Sequence, residues 1–262
     1  MDAPEATVVV TGASGGIGPA IARACHFAGM QLVITGRNEL QLEKLADELN
    51  ARVIVADLTK PDDLESLAAG IDDIDVFVSN AALPGGGQVS SFSPEEIDRV
   101  LDVNLRAPMR LCRHVIPGMI RRRRGHLVFV SSLAAAFPTP GLTLYNATKS
   151  ALESYALSLR GELRTQGVGV SIVRLGPIRD AGMWAETGLA VRGLRMSAPA
   201  EVGAAVVRAV EHDVAVVNVA PLPLRAGACI ARLSPALFAG LAPRLGARRF
   251  TDAMADALQH KR

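Results

Sequence analysis

Residues 7–18 read TVVVTGASGGIG, and the rest of the chain can be read outward from them. A continuous β-branched run ends in glycine and passes at once into an apolar-periodic segment, residues 17–28. That is a buried strand, a tight turn and a helix. Glycines at Gly12, Gly16 and Gly18, with Gly15 extra, leave the turn without side chains, and Ser14 and Ile17 complete it. A pyrophosphate can then approach the backbone. The helix N-terminus offers it free N–H groups and a partial positive charge. Gly18 lets the helix pack closely on the strand. A turn without any ligand is the plainer reading of the same glycines. Their place directly between strand and helix favours the phosphate.

The strand theme returns at Gln31–Gly36, 52–57, 73–80, Gly125–Ser132, 169–176 and 214–219. These runs are apolar throughout, as in strands covered on both faces. Helical patterns fill the gaps at 39–50, Pro61–Ala69, 94–122, 144–166 and 199–212. The expected fold is α/β: one doubly wound Rossmann-type domain with a seven-stranded parallel sheet and helices on both faces. Residues 1–220 form its dinucleotide-binding and catalytic part. Residues 221–262, rich in Leu, Ala and Arg, form a C-terminal helical extension of the same domain.

Composition bounds the partners. The 262 residues carry 28 Lys+Arg against 26 Asp+Glu, a net charge of +2, and 49% are hydrophobic. This excludes a disordered chain, a collagen-like chain and a basic nucleic-acid tail. The run Arg121–Arg124 has no second basic stripe, so a solvated helix end is expected there and no nucleic acid. Cys25, Cys112 and Cys229 form no CxxC and no Cys/His cluster, so no metal site and no disulfide framework is indicated. Buried, apolar cysteines in a reducing compartment are the plain expectation. The start MDAPEATVVV lacks a secretory pattern, and residues 226–242 are interrupted by Arg232 and Pro235. No membrane span and a cytoplasmic location are expected.

The second strand ends in Thr35-Gly36-Arg37-Asn38. Enzymes using the non-phosphorylated cofactor carry a carboxylate near this point for the ribose 2′-OH. A guanidinium at Arg37 can instead grip a 2′-phosphate bidentately. NADP(H) is therefore expected, with NAD(H) as the second choice and a solvated surface Arg as the alternative. Asn38 sits beside it. Asp57 and Leu58 end the third strand. Asp57 can accept from an adenine amino group or cap the next helix. Asn80 ends the fourth strand, and small Ala81 and Ala82 leave room for a ligand against the backbone.

Only two tyrosines and four lysines occur in the chain, yet Tyr145 and Lys149 stand four apart. On a helix they share one side. A phenol of pKa near 10 is a poor base at neutral pH. An adjacent ammonium and a nearby oxidised nicotinamide would favour the phenolate and lower that pKa. Ser132, at the end of the fifth strand, can hold a substrate oxygen. Asn104 is polar in an apolar helix, where it can kink the helix and hold a water.

Together TGASGGIG, SNAA, Asn104, Ser132 and YNATK resemble the compact single-domain branch of the short-chain dehydrogenase/reductase family over roughly residues 7–219. The resemblance implies an NAD(P)-dependent oxidoreductase acting on a small carbonyl or secondary alcohol, with hydride coming from C4 of the nicotinamide. Tyr145 would be general acid or base, and Ser132 would orient the carbonyl. Lys149 would bind ribose and tune Tyr145, and Asn104 would hold a water in a proton relay. A catalytically silent NADP(H)-binding sensor or scaffold is the alternative. Three departures stand out: Ala82 for the last Gly of NAG, Leu175-Gly176 for PG, and Asp180 for a Thr that touches the cofactor. Gly176 and Ile178 would still offer backbone groups to the nicotinamide. Residues 180–196 fall at the family's variable substrate lid. Met183 and Trp184, with Leu189, Val191 and Leu194, suggest an apolar pocket, with ordinary helix packing as the alternative; Arg192 and Arg195 could meet an anionic substrate, but solvated arginines are the plainer reading. A homodimer or homotetramer is implied. The tail could cap a neighbour's site, widen the interface or lie peripherally on a membrane.

Overall fold

The computed structural model describes residues 6–137, 139–186, 196–234 and 236. Seven strands run parallel: β1 (Thr7–Thr11), β2 (Gln31–Gly36), β3 (Arg52–Val55), β4 (Val76–Ser79), β5 (Gly125–Ser132), β6 (Val168–Leu175) and β7 (Val216–Val219). Their order is β3-β2-β1-β4-β5-β6-β7. The chain winds outward from β1 to β3, returns to place β4 against the other side of β1, and winds away again. The order thus reverses between β1 and β4, and ligands of such sheets lie outside the C-terminal strand ends at that point.

Among the described residues eight α-helices lie between the strands and a ninth follows β7. They are α1 (Gly18–Phe27), α2 (Glu39–Leu49), α3 (Pro61–Ala69), α4 (Pro94–Leu101), α5 (Ala107–Arg122), α6 (Thr143–Leu163), α7 (Gly182–Glu186), α8 (Pro199–Glu211) and α9 (Leu222–Leu233). In β1, Val8 and Val10 face one core with Ile21, Leu42 and Val206, from α1, α2 and α8. Val9 faces the other core with Leu67, Leu111 and Leu152, from α3, α5 and α6. Alternation between two buried faces makes the strand apolar at every position.

Several expected bounds shift, each for a visible reason. β3 stops at Val55 and leaves Arg52 and Val55 exposed, because it is the sheet edge and pairs only with β2. The expected helix 94–122 runs its full length but changes type inside it. α4 starts with a capping box between Ser93 and Glu96, a single π-helical turn occupies Asp102–Arg106, and α5 continues from there. At Asn104, where a kink is expected, the helical ladder carries an inserted residue. α6 closes in a 3-10 turn at Arg164–Gln166 before Gly167. Cys25 and Cys112 are buried as expected. Cys229 is exposed, correcting that expectation, because it lies on the outer face of α9. The arginines after α5 meet the loop before β4: Arg122 pairs with Asp73 at 3.1 Å and Arg124 with Asp75 at 3.1 Å. No helix among the described residues is long and apolar enough to cross a membrane. No group of His, Cys, Asp or Glu among them could hold a metal.

Candidate active site

The reversal point is stitched by one hydroxyl. Thr11 Oγ1 donates to Val78 O (3.3 Å) and accepts from Asn80 N (3.0 Å) and Ala81 N (3.1 Å). Asn80 Nδ2 in turn donates to Thr11 O (2.9 Å) and Gly12 O (3.3 Å). The ends of β1 and β4 are thereby held at fixed separation. Gly12 has φ +66°, and a Cβ there would lie 2.8 Å from Ala81 Cα. Left-handed backbone and close approach together demand glycine. Beyond it, exposed Gly15 and Gly16 open toward the free N-terminal end of α1, whose first residue is Gly18.

The outer end of this cradle is polar. A Cβ on Gly36 would fall 2.5 Å from Ser14 Oγ, so Ser14 packs against the end of β2. Arg37 follows, exposed. Asn38 Oδ1 accepts from Gln41 N at 3.1 Å and caps α2, so its side chain serves the helix. Asp57 does not cap α3, whose N-cap is Lys60. Its Oδ1 accepts instead from Thr59 N (3.0 Å) and Thr59 Oγ1 (2.8 Å). Desolvation opposes its charge, but these bonds and the nearby Arg37 and Arg99 hold the carboxyl below its ordinary range. Leu58 packs with Leu83, Val100 and Val103 under the crevice. A glycine-rich cradle at a helix N-terminus fits the pyrophosphate of a dinucleotide, with the exposed Arg37 at its outer end.

On the other side of the crevice the groups are buried. Ser132 ends β5, and its Oγ accepts from Ala134 N at 3.1 Å. The Tyr145 hydroxyl hydrogen-bonds with Ser132. Lys149 is 3% exposed, and its Nζ donates to Val130 O at 2.9 Å. That nitrogen stands 5.8 Å from the Tyr145 ring centroid. Tyr145 is half-buried as a residue while its hydroxyl end is enclosed by protein. Desolvation pushes the phenol up to about 12, against the smaller pull of Ser132. Burial likewise pushes Lys149 down to about 8, against the pull of Glu153. The expected lowering of the phenol is therefore reversed in the protein alone. Desolvation outweighs a cation that lies over the ring rather than against the hydroxyl.

Asn104 is 0% exposed. Its Oδ1 accepts from Leu83 N (2.7 Å), and its Nδ2 donates to Leu83 O (2.9 Å) and Thr148 Oγ1 (3.2 Å). Thr148 Oγ1 donates to Tyr145 O at 2.8 Å. The amide thus clamps the segment after β4 onto α6, and both of its N–H donors are already engaged by protein. The sequence reading overlooked Thr11, Thr148 and Glu153. An acid one turn after Lys149 on a buried helix face was the available signal for Glu153.

After β6, Gly176 N donates to Val219 O (2.9 Å), and Ile178 bridges Ser197. Asp180 has φ +63°, and its exposed carboxylate pairs with Arg179 at 3.4 Å, which draws it outward. α7 begins over the phosphate loop: a Cβ on Gly16 would lie 3.1 Å from Gly182 Cα. Met183 and Trp184 on α7 are half-buried. Leu189, Val191, Arg192, Leu194 and Arg195 lie outside the described residues.

The fold and this site define a dinucleotide-binding α/β protein with a half-buried Tyr and a buried Lys beside a strand-end serine. The short chain dehydrogenase family profile matches residues 6–191. Over 182 residues the chain is 35% identical to a 3-oxoacyl-[acyl-carrier-protein] reductase FabG of Rickettsia bellii, covering 69% of this chain and 76% of that protein. A short-chain dehydrogenase from Sphingobium yanoikuyae, solved in complex with NADPH, superposes with a TM-score of 0.74 at 27% identity, covering 81% of this chain and 87% of the other. A metagenomic short-chain oxidoreductase solved in complex with NADP gives a TM-score of 0.71 at 32% identity, covering 84% and 99%. The chain belongs to the short-chain dehydrogenase/reductase family of oxidoreductases.

Proposed function

We propose that the protein is an NADPH-preferring oxidoreductase that interconverts a carbonyl and a secondary alcohol on a small, apolar substrate. The observation that carries this reading is the enclosed trio of Ser132, Tyr145 and Lys149 at the C-terminal ends of the central strands. A nicotinamide held in this crevice would supply or accept the hydride. In the reductive direction Ser132 donates a hydrogen bond to the carbonyl oxygen and fixes the plane of attack. Tyr145, kept protonated by its burial, delivers its hydroxyl proton to the same oxygen as charge develops there. In the oxidative direction it takes that proton back. Lys149, as an ammonium, holds the cofactor ribose and favours the phenolate left after transfer. Asn104 keeps α6 and the Leu83 segment in register, and a relay water is assigned to the space beside it.

The phosphate cradle at Gly12, Ser14, Gly15, Gly16, Ile17 and Gly18 is assigned to the pyrophosphate, and Arg37 to the 2′-phosphate. Asn80, Ala81, Ala82, Asp57 and Leu58 would border the adenosine half, and Gly176 and Ile178 the nicotinamide. The two related structures with NADPH or NADP support the cofactor choice. Met183 and Trp184 are assigned to the substrate side. We further assign residues 1–220 to one catalytic unit with 221–262 as its extension, in a cytoplasmic homodimer or homotetramer.

The test is NADPH consumption against a panel of ketones, quinones and 3-oxoacyl thioesters, repeated with NADH. Turnover of at least one class with a higher kcat/KM for NADPH is expected. Tight NADPH binding without any turnover would favour the silent sensor. A tenfold NADH advantage would overturn the assignment of Arg37.

A further inference from the structure

Behind the Tyr–Lys pair, one carboxylate draws four elements together. Glu153 lies one turn after Lys149 on α6 and is 3% exposed. Its Oε1 accepts from Ser131 Oγ (3.0 Å) and Arg174 Nε (2.7 Å). Its Oε2 accepts from Arg174 Nη2 (2.9 Å) and from Arg232 Nη2. Ser131 directly precedes Ser132 on β5. Arg174 is the register partner of Ser131 on β6, two residues before Gly176. Arg232 comes from the last turn of α9. The helix of Tyr145 and Lys149, the strand of Ser132, the strand leading to the Gly176–Asp180 loop and the C-terminal helix therefore meet on a single side chain.

α9 is also seated by apolar contact. Ala228 packs with Leu133 and Ala136 just past Ser132, and Leu224 and Phe137 join them. This contact positions the helix, and Arg232 then reaches inward from it with a side chain that is 40% exposed at its outer end.

We propose that Glu153 is a positioning residue for Lys149, and that Arg232, delivered by the C-terminal helix, sets how much of the negative charge of Glu153 reaches that lysine. The proposal rests on the reading of Lys149 as the ribose-binding partner of Tyr145. Both oxygens of Glu153 are occupied by guanidinium and hydroxyl donors, so Lys149 bonds Val130 O and senses the carboxylate through its field. The titratable groups that bear on Lys149 are Tyr145, whose ring lies under its nitrogen, and Glu153, both from α6, while Arg174 from β6 and Arg232 from α9 face Glu153. β5 presents the Val130 carbonyl, Ser131 and Ser132. Burial disfavours the ammonium, and Glu153 opposes that effect. A carboxylate neutralised by two guanidinium groups opposes it less than one neutralised by one.

The signs follow. In Glu153→Gln the two arginines remain without their carboxylate, and the ammonium of Lys149 is disfavoured. In Arg232→Met one cation is removed and the ammonium is favoured. A purely structural role would move both variants the same way or neither.

The experiment titrates NADPH affinity of the full chain by fluorescence as pH rises, for the wild type, Glu153→Gln, Arg232→Met and Arg232→Lys. The alkaline midpoint, where affinity weakens as Lys149 loses its proton, is expected to fall by about one pH unit in Glu153→Gln. It is expected to rise by roughly half a unit in Arg232→Met and to stay at the wild-type value in Arg232→Lys. Midpoints that do not separate, or that move in the same direction, overturn the proposal. So does a wild type whose affinity has no alkaline limb. Should Glu153→Gln fail to fold, the direction seen in Arg232→Met decides, since that side chain is partly exposed. The readout needs no turnover. A wild type that binds NADPH but reduces no carbonyl counts against the proposed activity while this inference is still scored. A wild type that turns over with unsplit midpoints counts against this inference alone.

Discussion

The two sides of the crevice prepare for a ligand in contrasting ways. At the β1–α1 turn the working surface is backbone, and what matters is that side chains are missing. Gly12 sits at φ +66° against Ala81, and Gly15 and Gly16 are open to solvent. Around α6 the working surface is made of side chains, each held by another buried group. Lys149 is fixed on Val130 O, Tyr145 is bonded to Ser132, and Asn104 is clamped between Leu83 and Thr148. A backbone site tolerates few insertions of volume but is indifferent to charge chemistry elsewhere. A side-chain site tolerates modest volume changes but depends on which protons are where. Damage should therefore appear as lost binding on the first side and chiefly as lost turnover on the second, where Lys149 alone also contributes to binding.

Substitutions can break that division. Lys149→Arg preserves charge, yet a planar guanidinium does not fit where a compact ammonium sits 2.9 Å from Val130 O. A loss of about 10²-fold in kcat is expected from misplacement at this point, measured by NADPH oxidation with the best carbonyl of the panel. Near-normal turnover would mean that charge alone is required. On the other side, Gly12→Val forces a branched side chain into left-handed backbone and toward Ala81 Cα. NADPH Kd should rise at least roughly tenfold, about 1.4 kcal/mol, with the far-UV CD spectrum retained. An unchanged Kd would show that the turn is only structural.

Smaller effects sharpen the same contrast. Arg37→Ala removes the charged hydrogen bonds assigned to the 2′-phosphate, each contributing about 1.5–3 kcal/mol. The ratio of kcat/KM for NADPH over NADH should fall roughly tenfold or more, chiefly through KM. An unchanged ratio would return Arg37 to the solvated surface. Asn38→Ala removes a helix cap, not a ligand. About 1 kcal/mol of stability and roughly 2–4 °C in Tm should be lost, with the cofactor ratio untouched.

Much of the backbone side was legible in the chain. TGASGGIG announces its turn through glycine spacing, and strand runs such as Thr7–Thr11 announce a sheet covered on both faces. Tyr145 and Lys149 were legible because both types are scarce and stand at helical spacing. The buried support was not legible, because pairs such as Asn104–Leu83, Ser131–Glu153 and Arg232–Glu153 are distant in sequence and meet only when the strands align. Asp57 shows the same limit: its sequence position suits an adenine contact or a cap, while in the fold it turns to Thr59. The phenol shows a further limit. The residue types suggested a lowered pKa, but enclosure of the hydroxyl, which no local pattern encodes, pushes it up to about 12.

Tyr145 is assigned the proton transfer, and the cofactor is assigned to other groups: the glycine turn, Arg37 and Lys149. Tyr145→Phe tests this division most directly, with NADPH affinity and NADPH oxidation measured on the same preparation. A Kd within about twofold of wild type and a turnover reduced by about 10²–10⁴-fold, the usual worth of a positioned acid or base, are expected. Turnover retained within about tenfold, with affinity intact, would contradict the assignment.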